Sequence, residues 1–288
     1  MSRPVDTLLD YLRAEEARGT ESVYLDEQAK ELLRELHRKA RAQKNAPAKA
    51  AAASPVSMSL KEEPPAQPVP APVVEIKVSG GTAAEQIESL KKQAQDWAPA
   101  KALNSLREAM VFSTGNPEAE LMLVGEAPGY QEERQQQPFV GPAGQKLDGI
   151  LKAMGLERDA VYISNIVKFR PSMPKQTTNN RKPTPEEMAS CISFVREEVR
   201  IVKPKCIVAL GATAAEGLLG LTGAVGKMRT SWHEFEGIPA KVTYHPAYLL
   251  HGNAGLKDKR MIWEDMLTVM EKLELPISDK QRGFFLPK

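Results

Sequence analysis

The segment Leu121–Gly129 (LMLVGEAPG) decides the fold of this 288-residue chain. Its four leading apolar residues predict a buried strand, and the glycine-punctuated residues after them predict a tight loop. A second loop segment, Pro138–Gly144 (PFVGPAG), follows, and a helical pattern begins after it. The order strand, loop, helix is where α/β proteins place their sites, because the loop lies at the carboxyl end of a parallel strand.

The chemistry of these two loop segments is not that of a phosphate-binding loop. They contain neither the GxGxxG pattern of dinucleotide-binding proteins nor the GK[ST] pattern of P-loops. They carry instead a carboxylate, Glu126, and an aromatic ring, Phe139. A carboxylate and a flat ring suit a pocket that activates water and stacks a base.

Further strands and helices alternate along the rest of the chain and predict the fold class. The predicted strands are Leu121–Val124, Val161–Ser164, Cys206–Leu210 and Ala240–Tyr244, and the predicted helices are Ala83–Trp97, Gln145–Met154, Pro185–Val202, Ala212–Leu219 and Asp258–Leu273. Alternation at this spacing favours a parallel sheet with helices on both faces. We therefore predict an α/β fold, a three-layer α/β/α sandwich around a four-stranded parallel sheet.

The composition divides the chain into three parts. Residues 1–45 have the periodicity of two amphipathic helices, residues 46–82 are a Pro/Ala-rich disordered linker, and residues 83–288 contain the α/β domain. The two short helices cannot bury much surface alone, so we expect them to dock on the main domain, a second copy or another protein.

Charge and cysteine content limit the class of protein. The net charge is +2, so affinity for nucleic acid would have to come from local basic clusters. Two cysteines are too few for a disulfide framework or a self-contained metal site. No apolar run approaches the length of a membrane span, and the N-terminus lacks a signal-peptide layout. We expect a cytoplasmic protein, monomeric and without membrane association.

Polar residues follow the predicted strands where a site would form. Glu126, Asn165 and His245 each come directly after a strand, so a parallel sheet would bring them to one edge. Each has an ordinary alternative role. Glu126 can be solvated or cap a helix, Asn165 can form a turn, and His245 can be a satisfied surface or core group. Phe139 taken alone would be a core residue.

Six motifs in order decide between these alternatives. They are GEAPG, PFVGPAG, YISNIVK-x-RP, NRKPTPEE, PKCIVALG and YHPAYLL. In this order and spacing the chain resembles the family 4 uracil-DNA glycosylases from about Trp97 to Leu273. The resemblance implies a monofunctional DNA glycosylase of base excision repair, which flips uracil out of DNA and hydrolyses its N-glycosidic bond.

The resemblance also implies roles for residues of the pocket. Glu126 matches the carboxylate that positions the hydrolytic water, and His245 matches the imidazole that faces uracil O2 and stabilises the leaving group. Phe139 matches the aromatic residue that stacks on the base, and Asn165 matches the amide that reads its edge. Glu132 matches an acidic residue near the uracil ring that hinders the methyl group of thymine.

Residues around these motifs are candidates for further contacts with substrate and DNA. Gly125 and Ala127 belong to the predicted substrate pocket. The sequence predicts DNA contacts at Leu249, Leu250, Lys257, Lys259, Arg260 and Arg181. The two leucines would wedge into the base stack, and the cations would bind phosphates. The ordinary alternative for the basic residues at 257–260 is a solvated helix start.

The chain departs from the family at the ligands of its [4Fe–4S] cluster. Three of the four cysteine positions are occupied here by Ala98, Lys101 and Phe169, and only Cys191 remains. A single thiolate cannot hold a cluster that needs four. We therefore predict no cluster, no other metal and no cofactor, with Trp97 and Phe169 packing the region that a cluster would have joined.

Three functions are compatible with these residues. The first is a uracil-DNA glycosylase whose partner is uracil-containing DNA. The second is a non-catalytic DNA-binding or damage-sensing member of the superfamily, in which residues 1–45 recruit a protein partner. The third is an α/β enzyme acting on a free nucleobase or nucleotide, which leaves the predicted wedge leucines without a role.

Overall fold

In a computed structural model, which describes residues 76–250 and 255–286, the described strands form two sheets. In chain order they are β1 (Leu106–Met110), β2 (Thr114–Gly115), β3 (Leu121–Gly125), β4 (Tyr162–Asn165), β5 (Phe169–Pro171), β6 (Cys206–Leu210), β7 (Trp232–Phe235) and β8 (Ile238–Thr243). The main sheet has the order β2-β4-β3-β6-β8-β7, and β1 pairs with β5 in a separate two-stranded sheet.

The four predicted strands form the centre of the main sheet. Strands β4, β3, β6 and β8 are parallel neighbours in that order, which confirms the prediction of four parallel strands. The prediction missed the two edges, where β2 and β7 add antiparallel strands. Strand β2 has only two residues, and β7 has two polar residues, His233 and Glu234, at its centre, so neither has the apolar run of a buried strand.

The five predicted helices are all present, and four further short α-helices occur among the described residues. In chain order they are α1 (Ala83–Gln95), α2 (Ala98–Lys101), α3 (Tyr130–Gln135), α4 (Pro142–Met154), α5 (Pro185–Val202), α6 (Ala212–Leu219), α7 (Val225–Met228), α8 (Leu256–Lys272) and α9 (Asp279–Arg282). Helix α4 begins three residues before the predicted start, because Pro142 is favourable in a first helical turn. Helix α5 begins with a capping box in which Thr184 accepts from the N–H of Glu187.

The central sheet separates two hydrophobic cores. Successive residues of β3 point to opposite faces, so Met122 lies in one core and Leu123 in the other. The first core contains residues of α1, α5 and α6, and the second contains residues of α4 and α8. This arrangement confirms the predicted three-layer α/β/α sandwich.

The domain boundaries can be compared with the structure only in part. The predicted helical segment 1–45 and the first part of the predicted linker, residues 46–75, lie outside the described residues. Within the predicted linker, Ile76 and Val78 pack against the first core, so packed structure begins before residue 83. None of the helices in the described part of the chain has the length and apolar character needed to cross a membrane.

Candidate functional site

A cleft of about 530 Å³ lies at the carboxyl ends of the central strands. The pairing of β3 with β4 sets Gly125 directly opposite Asn165, and the loops after β3 and β8 complete the walls. The cleft is lined by Glu126, Ala127, Pro128, Gly129, Tyr130, Gln131, Glu132, Phe139, Gly141, Pro142, Ala143, Asn165, Thr178, Asn180, Arg181, His245, Ala247 and Leu250. The predicted carboxylate, ring, amide and imidazole therefore lie in one cavity.

Gly125 is the residue against which two site side chains pack. A Cβ at this position would lie within 3.0 Å of the Asn165 side-chain oxygen and of the Phe139 ring. Any residue other than glycine would therefore displace the amide, the ring or both. The glycine at the end of β3 is explained by this close approach.

The Phe139 ring is held by an unusual backbone conformation. Phe139 is buried and has a φ of +54°, in the left-handed region that a bulky residue rarely adopts. Arg158 donates to the carbonyl oxygens of Phe139 (2.9 Å) and Pro138. Gly144 allows this turn, since a Cβ there would collide with the Phe139 carbonyl. Backbone strain of this kind is typical of functional sites.

His245 faces the Phe139 ring, with 5.6 Å between the ring centroids and 30° between the planes. The backbone N–H of Ala247 donates to Nδ1 of His245 (3.2 Å), so the proton of the neutral ring is assigned to Nε2. Burial lowers the pKa of His245 to about 4, and the charge of Glu132 opposes this effect. At neutral pH His245 is therefore an uncharged hydrogen-bond donor.

Asn165 lines the cleft with its amide. The residue is only 3% exposed, and no hydrogen bond engages its side chain within residues 76–250 and 255–286. A primary amide offers both donors and an acceptor. Asn165 can therefore recognise a ligand edge that presents an acceptor beside a donor.

The carboxylate of Glu126 lies at the start of the loop after β3. Burial raises its pKa, while the hydroxyl of Thr213 and the charge of Lys182 oppose the rise. Thr213 lies in the first turn of α6, within the small-residue turn that follows β6. A carboxylate whose charged form is destabilised is a better base than an exposed one, which suits the activation of water.

Glu132 supports the loop that carries Phe139. One oxygen of its carboxylate accepts from the backbone N–H groups of Val140 (3.1 Å) and Gly141 (2.8 Å). Its other oxygen approaches Gly129, where a Cβ would lie within 3.0 Å of it. Glu132 therefore lies at the cleft wall with one oxygen already bound.

The predicted wedge leucines are on the short 3₁₀ helix Pro246–Leu250. Leu250 lines the cleft and is 44% exposed, whereas Leu249 is half-buried outside the lining residues. Leu250 is thus the one of the two whose side chain is both beside the cleft and open to solvent.

The predicted phosphate-binding cations fall into two groups. Lys257 and Lys259 are exposed in the first turn of α8. Arg181 and Arg260 are engaged within the protein: Arg181 binds Glu187 through two nitrogens, and Arg260 binds Glu264. Arg260 also donates to the carbonyl oxygens of Arg282 and Phe284, which holds the C-terminal segment on α8. A DNA contact for each of these residues stays a prediction.

Residues of the 172–184 loop were missed as members of the site. Thr178 and Asn180 line the cleft, and Asn180 accepts from Nε of Arg170 (2.9 Å). Arg170 is buried and also binds Glu133 (2.8 Å). The signal that could have found them is the pair of Arg-containing motifs, KFRP directly before this loop and NRKP within it.

The residues at the cluster positions do not fit a [4Fe–4S] group. Cys191 is fully buried, and burial raises the pKa of its thiol, which disfavours a thiolate ligand. Trp97 stacks edge-on against Phe194 (4.7 Å between centroids), and Phe169 is buried in the same core. In the part of the chain that the structure describes, no group of three or more His, Cys, Asp or Glu side chains could hold a metal.

Comparison with known proteins gives one family. The profile of the Uracil DNA glycosylase superfamily matches residues 112–267. The chain is 39% identical over 162 residues to the type-4 uracil-DNA glycosylase of Thermotoga maritima, covering 56% of this chain and 81% of the relative. It is 34% identical over 196 residues to the type-4 uracil-DNA glycosylase of Sulfurisphaera tokodaii, and this match covers 65% of this chain and 84% of the relative. These matches confirm the resemblance drawn from the six motifs.

Proposed function

Because the chain belongs to the uracil-DNA glycosylase superfamily, we propose that it hydrolyses the N-glycosidic bond of uracil in DNA, a step of base excision repair. The observation that carries this proposal is the single cleft lined by Glu126, Phe139, Asn165 and His245. The products are free uracil and an abasic site. The type-4 enzymes among its relatives support assignment of the chain to the hydrolytic DNA glycosylases.

His245 stabilises the leaving group. As the C1′–N1 bond breaks, uracil departs as an anion whose charge is spread over O2 and O4. A neutral imidazole with its proton on Nε2 donates to O2 as this charge develops, in the manner of an oxyanion hole. Its low pKa supports this role, since a charged imidazolium would not be present at neutral pH.

Asn165 selects the base. Its amide donates to uracil O4 and accepts from N3–H, whereas cytosine presents the opposite arrangement at these two positions. Binding cytosine would leave buried polar groups unpaired, which costs ~1–3 kcal/mol for each. Support comes from the burial of Asn165 and from the absence of hydrogen bonds to its side chain among the described residues.

Glu126 serves the sugar side of the reaction. The deoxyribose gains positive charge in the transition state, and a nearby carboxylate stabilises that charge and orients the attacking water. Water adds its oxygen to C1′ as the C1′–N1 bond breaks. Glu126 accepts the proton that the water loses, and this proton finally passes to the departing uracil anion, which leaves as neutral uracil and restores the carboxylate. Support comes from the raised pKa of Glu126, which makes its carboxylate a competent base.

The remaining cleft residues shape the pocket. Phe139 stacks on the flipped base, worth ~1–3 kcal/mol without preference among bases. In this proposal Glu132 hinders the thymine methyl, and its support is that the N–H groups of Val140 and Gly141 hold its carboxylate at the cleft wall. Ala127 lines the pocket next to the carboxylate, and Gly125, which is not a lining residue, leaves room for the ring and the amide.

DNA binding requires the target base to leave the helix. In this proposal Leu250, with Leu249 behind it, fills the vacated position in the stack. Lys257 and Lys259 bind phosphates at the start of α8, where their side chains are exposed. Arg181 and Arg260 are already paired inside the protein, so their contribution to DNA contact is to hold the 172–184 loop and the C-terminal segment.

We further propose that this enzyme acts without an iron–sulfur cluster and without another cofactor. The support is the donor set, in which one buried thiol and three non-ligating residues stand at the four cluster positions. Iron analysis and the visible spectrum of the protein, purified without oxygen, test this proposal. Stoichiometric iron with the absorption of a cluster would contradict it.

One assay tests the proposed activity against the non-catalytic alternative. Single- and double-stranded oligonucleotides with one uracil are incubated with the protein, and abasic sites are then cleaved with alkali. Scission at the uracil position, and none at cytosine or thymine in matched oligonucleotides, supports the proposal. DNA binding without scission would favour a damage-sensing member of the superfamily. The Glu126→Ala variant is the control for contaminating activity.

A further inference from the structure

A buried polar cluster lies directly behind Asn165. We call Tyr162, Ser164, Lys168 and Glu198 the buried cluster, and each of these side chains is at most 1% exposed. Tyr162 and Ser164 belong to β4, Lys168 follows it, and Glu198 is contributed by α5. The cluster therefore links the strand that ends in Asn165 to the helix that covers it.

Lys168 uses all of its hydrogen-bonding capacity in this cluster. Its Nζ donates to Oε2 of Glu198 (2.7 Å), to Oγ of Ser164 (2.6 Å) and to the backbone carbonyl of Asn165 (3.1 Å). An ammonium group has three N–H donors, and here each has an acceptor. The Lys168 charge also lies 5.0 Å from the centre of the Phe112 ring.

Glu198 is equally well satisfied. Its Oε2 accepts from Ser164 (2.8 Å) as well as from Lys168, and its Oε1 accepts from the Tyr162 hydroxyl (3.2 Å). Burial and the charge of Glu198 raise the pKa of Tyr162, so this hydroxyl remains a donor. The ion pair is thus complete and fixed in one geometry.

Such a pair is a poor way to gain stability. Removing two charges from water costs several kcal/mol for each ion, and apolar replacements of similar volume are often as stable or more stable. A contribution to stability therefore does not explain why this ion pair is buried here. A buried ion pair with every hydrogen bond made does impose one conformation on the backbone that it touches.

The backbone it touches is that of the predicted base-reading residue. The Asn165 side chain has no hydrogen bond to any of the described residues, so its position depends on its backbone and on contact with Gly125 and Phe139. The backbone is held from two sides. Ile166 N–H donates to Gly125 O (2.9 Å), and Lys168 Nζ binds the Asn165 carbonyl.

We propose that Lys168 and Glu198 form a positioning pair that aims the Asn165 amide at the substrate base and so sets base discrimination. The inference rests on the proposed function for the identity of the base. Neither residue touches the substrate, and both act through the Asn165 backbone.

The test is a charge-free, volume-conserving double variant, Lys168→Met with Glu198→Gln. It leaves no buried charge unpaired, and the new amide can still pair with Tyr162 and Ser164. Matched control substitutions, Lys205→Met with Glu120→Gln, remove an ion pair (2.5 Å) at the amino ends of β3 and β6, away from the cleft. Ser164→Ala is a milder second variant in case the double variant folds poorly.

The readout is discrimination in binding, which does not depend on turnover. Affinities are measured for single-stranded oligonucleotides carrying 2′-fluoro-2′-deoxyuridine or 2′-fluoro-2′-deoxycytidine, because the fluorine opposes cleavage by destabilising the positively charged sugar. We expect the uracil-over-cytosine ratio to fall about tenfold in the double variant and about threefold in Ser164→Ala, with the control unchanged. Melting temperatures report whether each variant is folded.

A second measurement separates positioning from a structural role. In an Asn165→Ala background the double variant should lower the ratio no further, because the residue through which the pair acts is gone. An unchanged ratio in a folded double variant, or an equal fall in both backgrounds, would overturn the inference. If the unmodified protein excises no uracil but still binds uracil more tightly than cytosine, the proposed function is wrong and the inference about the positioning pair is unaffected.

Discussion

Gly125 and Asn165 face each other across the parallel pairing of β3 and β4, and a Cβ on residue 125 would lie within 3.0 Å of the Asn165 side-chain oxygen. The same Cβ would also approach the Phe139 ring within 3.0 Å. The Asn165 amide and the Phe139 ring are therefore both located by the absence of a single side chain.

Gly125→Ala should cost the enzyme most of its activity while the protein remains folded. The added methyl must push aside the amide or the ring, and misplacement of a catalytic constellation by ~1 Å can lower rates by ~10²-fold. Single-turnover excision from a uracil oligonucleotide measures the effect. Gly149→Ala in α4 is the control, since nothing lies within 4 Å of a Cβ there. Normal excision by Gly125→Ala would mean that the site tolerates this crowding.

His245→Ala should lower excision by ~10²–10³-fold, the usual loss when one oxyanion-hole donor is removed. The loss should appear in the chemical step, with affinity for uracil-containing DNA much less affected. His233→Ala is the matched control, because this half-buried histidine of β7 bonds to the Met228 carbonyl away from the cleft. Equal losses from the two variants would argue against a special role for His245.

The burial of His245 also predicts how stability varies with pH. Its pKa is about 4 in the folded protein, against 6.5 for an ordinary histidine. Between these two pH values the imidazole is protonated in the unfolded chain but remains neutral in the native state. The free energy of unfolding should therefore fall as pH is lowered from about 6.5 to about 4, by at most about 3 kcal/mol from this group. Urea unfolding at several pH values should show a shallower fall for His245→Gln. Identical slopes for the two proteins would contradict the assigned pKa.

The fold was predictable where the hydrophobic pattern of a single segment identifies a strand or helix. The apolar runs at Leu121–Val124 and Cys206–Leu210 are buried strands because both of their faces are covered, and their carboxyl ends predicted where Glu126 would lie. Edge strands such as Trp232–Phe235 were missed because half of their side chains remain polar. The partner of this strand, β8, begins only three residues after Phe235, so the missing signal was the apolar run rather than a distant neighbour.

The site was predictable for residues that directly follow strands and, through the resemblance of the motifs, for Phe139 and Glu132. Asn165 and His245 were found in the first way. The partnership of Lys168 with Glu198 spans 30 residues and depends on how α5 packs on β4, which no local pattern reveals. Arg181 was predicted to contact DNA because it lies in one loop with two other basic residues, Lys175 and Lys182. In the structure it is paired with Glu187 in the first turn of α5.

The acid limb of the activity profile should report Glu126. In the proposed mechanism excision requires its carboxylate to be ionised, and burial raises its pKa above the usual 4.5, so activity should fall as pH drops through this raised value. His245, with a pKa of about 4, would become charged only at lower pH. Single-turnover rates between pH 4 and 8 locate the midpoint. Glu126→Gln should be slow throughout and lose this limb, whereas an unchanged limb would assign it to another group.

Leu250→Ala should separate duplex from single-stranded substrates. Leu250 lies at the rim of the cleft and is 44% exposed, so it can enter the space that a flipped base leaves behind. Filling that space offsets an unstacking cost of a few kcal/mol, a cost that single strands largely avoid. The variant should therefore excise uracil from duplex DNA ~10-fold more slowly and from single strands at nearly the normal rate. Leu256→Ala is the control, because this leucine is 61% exposed but does not line the cleft. Equal losses on both substrates would show that Leu250 shapes the pocket itself, and no loss on either would remove it from base flipping.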